Sequence, residues 1–114
     1  MARPAKHYST ASARPRAPGE PAVALVLYVS PMSRHSQMAK RNCDELLKRV
    51  DPRAVHFEVC DISKHPERGD DDGVYFTPVL VKRHPLPRTH VVGDLSNTHV
   101  LVDLLEACGV SVTR

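Results

Sequence analysis

Phe76-Thr77-Pro78-Val79-Leu80-Val81-Lys82 is followed by Pro85-Leu86-Pro87 and then by Val91-Val92-Gly93-Asp94-Leu95-Ser96. This is a short apolar run opened by a Thr-Pro pair, a proline-stiffened connection, a second apolar run and a capped helix start. Proline cannot donate to a sheet ladder, so Pro78 belongs at the first residue of a strand or at a bulge. The Thr77-Pro78 bond is a candidate for cis, which costs little before proline and much before any other residue.

Working outward, Val23–Val29 is a continuous apolar run of strand length. Such a run suits a central parallel strand covered on both faces. Residues 30–36 form a turn. From Ser36 onward the apolar positions Ala39, Cys43, Leu46, Leu47 and Val50 fall on one helical face, with Lys40, Arg41, Asp44, Lys48 and Arg49 outside it. Asp51-Pro52 stops that helix. Val55, Phe57 and Val59 alternate with His56, Glu58 and Cys60, the pattern of a strand with one face in. Asp61 offers a cap or turn. Residues 63–73 are polar and charged, and a short, poorly anchored helix is expected there. Two strands follow, over 79–81 and 89–92, joined through Pro85 and Pro87. Ser96 is read as the N-cap of a closing helix with Val100, Leu101, Leu104, Leu105 and Cys108 inward, and Gly109 as its C′ residue.

The order is β-α-β-α-β-β-α, a single α/β domain with a right-handed parallel unit and an antiparallel hairpin at its edge. That is thioredoxin-like topology. A Thr-Pro pair opening a strand at this depth is where such folds carry their cis-proline. The expected boundaries are a basic, Pro/Ala-rich disordered tail over 1–21 and the folded domain over 22–110.

The totals agree with one domain. At 114 residues there is room for one modest core, and 41% hydrophobic with 25% charged residues is ordinary for a soluble globular chain. No apolar run approaches the roughly 20 residues needed to span a bilayer. Residues 1–21 lack the apolar centre of a secretory signal. The net charge of +3 comes from this segment, where Arg3, Lys6, Arg14 and Arg16 face only Glu20. The remaining 12 basic residues are matched by 12 acids, so no basic domain face for nucleic acid is indicated. Cys43, Cys60 and Cys108 sit far apart with no C-x-x-C spacing, which suggests free thiols in a reducing cytosol.

Chemistry at the usual place is missing. Thioredoxin-like enzymes put a C-x-x-C in the turn after the first strand, where a helix N-terminus lowers the thiol pKa. Here that turn reads Ser33-Arg34-His35-Ser36. Serine is far too weakly acidic to replace a thiolate. The seven histidines show no i,i+4 pair with a third ligand, and Asp70-Asp71-Asp72-Gly73 lacks the alternating pattern and distal Glu of a calcium loop. The bland reading of that acidic run is a solvated helix end. His35 beside Ser33 or Ser36 has no evident orienting acid for hydrolysis. No cofactor or metal is expected.

The chain resembles the KaiB family of circadian-clock proteins over residues 25 to about 105. The resemblance is carried by Leu27-Tyr28-Val29 with Ser36, by Asp61-Ile62 followed by Lys64-His65-Pro66-Glu67, by Asp72, and by Thr77-Pro78-Val79-Leu80. Pro85-Leu86-Pro87 and Gly93-Asp94-Leu95-Ser96 complete it. It implies a non-enzymatic adaptor in the cytoplasm that binds a KaiC-like ring ATPase or a sensor histidine kinase, with no membrane or nucleic-acid partner and with homo-oligomerisation left open. By that resemblance Lys64, Glu67, Asp72, Tyr75, Phe76 and Lys82 are the candidate partner contacts. For Val74 and Phe76, simple anchoring to the core stands as the alternative. Pro78, Pro85, Pro87, Gly93, Asp94 and Ser96 are the candidate structural positions. The resemblance also implies a fold-switching family, with a tetrameric ground-state fold as the alternative to the thioredoxin-like one.

Three departures sharpen the expectation. Switching members carry a glycine in the segment aligned with residues 100–106, and this chain has none. Loss of a helix-interior glycine favours helix by ~1 kcal/mol, so the thioredoxin-like form is the expected resting state. Glu58 stands where clock members tend to have lysine at the KaiA-facing edge, which argues against a KaiA partnership. The chain carries Ser111-Val112-Thr113-Arg114 where clock members have an acidic tail. The competing function is a thiol oxidoreductase using Cys43, Cys60 or Cys108 in an unconventional way.

Overall fold

The computed structural model describes residues 19–113. Most of the expected tail over 1–21 therefore lies outside the described residues. Four strands and three helices follow one another in the expected order. They are β1 (Val23–Val29), α1 (Arg34–Leu47), β2 (Val55–Asp61), α2 (Pro66–Asp72), β3 (Val79–His84), β4 (Thr89–Val92) and α3 (Thr98–Ala107). The sheet order is β2-β1-β3-β4. β1 runs parallel to β2, with Val23 opposite Val55 and Val29 opposite Asp61. β3 is antiparallel to both β1 and β4.

The continuous apolar character of β1 has a direct cause, because both faces of the sheet are covered. Val23, Leu25, Leu27 and Val29 point into the larger core, with Ala39, Cys43 and Leu46 of α1 and Leu101, Val102 and Leu105 of α3. Val26 and Tyr28 point the other way, into a smaller core with Cys60, Val74, Val79 and Val81. Double cover also corrects the reading of β2. Val59 is exposed and Cys60 is buried, because the end of β2 is covered on the face opposite the larger core.

Helix boundaries differ from the sequence reading where side-chain caps decide them. α1 begins at Arg34 because Ser33 Oγ accepts from the Ser36 amide at 3.2 Å. Ser36, expected as the opener, is instead buried, and its hydroxyl accepts from the Ser30 amide at 3.0 Å. The closing helix is capped by Asn97, whose side chain accepts from the His99 amide, and not by Ser96. Gly109 follows it at φ +85°, the left-handed geometry a helix C′ position demands. Residues 100–106 lie inside α3, so they are helical as expected.

Pro78 sits one residue before β3, and the Thr77-Pro78 bond is cis, as are His84-Pro85 and Leu86-Pro87. The Gly93 amide donates to Pro78 O at 3.0 Å, which carries the β3–β4 pairing through the proline. Among the described residues no helix is long and apolar enough to cross a membrane.

Candidate functional site

Three loops meet where β1 ends. The first is the β1–α1 turn, the second is the segment over 73–78, and the third joins β4 to α3. Ser30 Oγ and Thr77 Oγ1 share a hydrogen bond of 2.7 Å and pin the first two together. The third is tied in by the Gly93–Pro78 bond and by Asn42 Nδ2, which donates to Asp94 O at 2.8 Å. Asp94 Oδ1 accepts from the Ser96 amide at 3.0 Å, and His35 Nδ1 stands 3.9 Å from Asp94 Oδ2. Backbone and side-chain bonds from Ser96 hold the Asp94 carboxyl below its usual range. Four of the expected structural residues, Pro78, Gly93, Asp94 and Ser96, are therefore brought together. Pro85 and Pro87 lie apart from them, exposed in the β3–β4 connection.

This end of the molecule has no thiol. Ser33 and Ser36 occupy the turn and are spent on capping and on closing it. The thiols lie elsewhere. Cys43 and Cys60 are buried and Cys108 is half-buried. Burial pushes the Cys43 thiol up to about 12 and also raises Cys60, so both favour the unreactive protonated form. Among the described residues no group of three or more His, Cys, Asp or Glu could hold a metal ion.

Large apolar side chains are exposed in the β1–α1 turn and on the segment pinned to it. Met32 in the turn is 95% exposed, while Tyr75 and Phe76 on the pinned segment are 78% and 59% exposed. Burying large side chains of this kind is worth roughly 1.5–3 kcal/mol each, which leaves an unfilled capacity for contact. Of the two residues for which core anchoring was the alternative reading, Val74 anchors the segment at 3% exposure and Phe76 projects from it. Lys64 and Glu67 are also exposed.

Two candidate contacts turn out to be internal. Lys82, on β3, is only 5% exposed, and Asp72 is only 2% exposed. Neither offers surface for a partner to touch. The acidic run is therefore not a solvated helix end at its last residue, and α2 is attached there through polar contacts. Tyr28 donates its hydroxyl to Asp72 Oδ2 and also stands 3.0 Å from Arg68 O. Arg83 Nε and Arg88 Nη1 each lie 3.4 Å from Asp72 Oδ1. His90 Nε2 lies 2.6 Å from the Asp72 carbonyl. Burial first, and the hydrogen bond to Asp72 second, push the Tyr28 phenol well above its ordinary value. Beside this cluster, Arg68 holds Glu58 through two bonds of 2.8 Å. Sequence reasoning missed the cluster, although a tyrosine on an inward face of a doubly covered strand signals a buried hydroxyl needing a partner.

Comparison with known proteins agrees with this geometry. The KaiB domain family matches residues 26–107. The circadian clock protein KaiB3 of a Synechocystis species is 30% identical over 76 residues, covering 67% of this chain and 74% of the relative. The circadian clock oscillator protein KaiB of Thermosynechococcus vestitus is 32% identical over 81 residues, covering 70% and 75%. Among solved structures, the N-terminal domain of Synechococcus elongatus SasA superposes with a TM-score of 0.63 at 22% identity, covering 82% of this chain and 88% of that domain. A chain from the structure of thiol resolution in yeast mitochondrial 1-Cys peroxiredoxin gives 0.65 at 13% identity, covering 89% and 88%. The last two likenesses speak to the fold alone.

Proposed function

This chain belongs to the KaiB family, and we propose that it is a non-enzymatic interaction module that docks on a KaiC-like ring ATPase or a sensor histidine kinase. The observation that carries the reading is a substitution of surfaces. Where a redox member of the fold would hold its thiol pair, this chain has capped serines, and beside them stand Met32, Tyr75 and Phe76 with their side chains in solvent. An exposed aromatic pair on a segment fixed by hydrogen bonds is the kind of anchor that dominates protein interfaces. Lys64 and Glu67 complete the contact surface as its polar rim. Asp72 and Lys82 belong beneath it. The oxidoreductase alternative is weakened by burial of two thiols and by their upward-shifted ionisation.

The test is a pull-down from the native cell with the full chain, scored for a ring ATPase or a sensor kinase. The wild-type chain is expected to retain such a protein. The double variant Tyr75→Ser/Phe76→Ser is expected to lose it while keeping its circular dichroism spectrum. Dithiol turnover by the pure protein in an insulin-reduction assay, abolished by replacing all three cysteines with serine, would overturn the reading.

A further inference from the structure

α2 reads Pro66-Glu67-Arg68-Gly69-Asp70-Asp71-Asp72 and carries no aliphatic or aromatic side chain after its first residue. Helices in proteins owe most of their stability to an apolar face packed on a core. This one has none. It nevertheless lies over the smaller core, with Gly69 so close to Ile62 that an added Cβ would come within 2.8 Å of Ile62 Cδ1. What attaches it is polar. Asp72 is clasped by Tyr28, Arg83 and Arg88, Arg68 is forked onto Glu58, and the Asp72 carbonyl meets His90. Arg88 Nη1 also donates to Asp71 O at 3.3 Å. The one large apolar anchor is Val74, just beyond the helix.

The two sides of the sheet are thus closed by different physics. α1 and α3 seal the larger core with rows of aliphatic side chains. α2 seals the smaller one with ion pairs whose cationic partners, Arg83 and Arg88, keep 20% and 29% of their side chains in solvent. Asp72 Oδ1 is buried, lies in ion-pair range of both guanidiniums and makes no hydrogen bond. The clasp therefore depends on charge at that one carboxylate. Neutralising it leaves the guanidiniums facing an uncharged group, and nothing apolar on the helix compensates.

We propose that α2 is a cover latched by the Asp72 carboxylate, which opens locally as a unit and uncovers the β1–β3 face at Val26, Tyr28, Val79 and Val81 together with Cys60. This inference goes beyond the docking reading, since it concerns how α2 is held on the sheet and its test needs no partner. Cys60 reports on it, because the residue is only 2% exposed and packs in the smaller core that α2 covers. Cys43 is an internal control, equally buried but on the inward face of α1, in the larger core on the other side of the sheet. Local opening exposes the first thiol and leaves the second protected.

The experiment is alkylation of the full chain by N-ethylmaleimide under native conditions, with Cys43 and Cys60 resolved by peptide mass spectrometry. Asp72→Asn is expected to accelerate modification of Cys60 by about tenfold, the scale of losing one charge-assisted buried contact, with Cys43 unchanged. Arg88→Gln serves as the second variant, should Asp72→Asn fail to fold, and is expected to act in the same sense by a smaller factor. Amide exchange over 66–74 is expected to quicken in step with Cys60, and exchange in α1 to stay slow. Equal acceleration at both cysteines in the folded variants would mean that opening is global and would overturn the proposal. An unchanged Cys60 rate in Arg88→Gln would overturn it as well.

Discussion

Tyr28 and Asp72, forty-four residues apart in the chain, share a buried hydrogen bond that joins the central strand to the last residue of α2. The phenol projects from the next-to-last residue of β1 and is fully buried, so its hydroxyl has no access to water. Its two acceptors, Asp72 Oδ2 and Arg68 O, both come from the same helix.

Tyr28→Phe keeps the ring and removes the donor. A buried acceptor is then left short of a partner, which costs about 1–3 kcal/mol. The expected result is a lower urea midpoint with an unchanged slope, because the surface exposed on unfolding is the same. Tyr75→Phe makes the same chemical change at a residue 78% exposed, and is expected to stay within about 0.5 kcal/mol of the parent. Equal effects at the two sites would contradict the placement of Tyr28.

Glu58 gives a pH signature. Arg68, through two hydrogen bonds, holds its carboxyl below the usual range, with the charge of His56 and Arg83 adding to this. The folded pKa is therefore the lower one, and the unfolded chain binds the proton first as pH falls. Stability from this pair is fully present above the unfolded value of ~4.3 and is lost as pH drops through the folded one. Glu58 keeps 38% of its side chain exposed, so solvent screens the pair and the effect is small. Arg68→Gln is expected to flatten the fall in melting temperature between about pH 5 and pH 3. A profile of unchanged steepness would show that the pair is not formed in solution.

What the sequence discloses tracks how local the cause is. β1 was legible because every side chain from Val23 to Val29 answers to one condition, cover on both faces. The helical content of 100–106 was legible from apolar spacing, but its inward face was read one position off at two residues: Val100, expected inward, is exposed, and Val102 is buried instead. The cap at Ser33 was not legible, since Ser33 and Ser36 are equally good cap residues. The choice rests on Ser36 being needed by Ser30. Asp72 was illegible in a stronger sense. Three consecutive aspartates read as solvated, and only the arrival of Arg83 and Arg88 from the β3–β4 hairpin makes burial of the third one tolerable. Cys60 and Val59 exchanged roles for a similar reason, because their exposure is set by what the sheet meets at its far end.

The helical state of α3 can be checked by a pair of changes at one exposed position. Asp103 faces solvent in the middle of Thr98–Ala107. Alanine and glycine differ by ~1 kcal/mol in a helix interior, with alanine the better. Asp103→Ala is therefore expected to exceed Asp103→Gly in stability by about that amount, with helical carbon shifts over 100–106 in both. Extended shifts over 100–106 in the parent chain would show that the other family fold is the resting one.

Gly69 and Ile62 set how closely α2 approaches the sheet. A Cβ on Gly69 would meet Ile62 Cδ1 at 2.8 Å, Ile62 Cγ1 at 3.1 Å and the Val74 carbonyl at 3.2 Å. The first contact is with the far end of a flexible side chain, while the last is with backbone. Gly69→Ala improves helix propensity by up to ~1 kcal/mol, yet it forces α2 outward against a clasp that tolerates little movement. The net expectation is a loss of about 1 kcal/mol or more. Ile62→Val deletes Cδ1 and with it the closest contact, at its own cost of about 0.5–1.5 kcal/mol. The two changes share one space, so they should not add. Gly69→Ala/Ile62→Val is expected to be more stable than the sum of the single losses allows, and a double-mutant cycle by urea unfolding measures the difference. Strict additivity would place α2 farther from Ile62 than the structure has it.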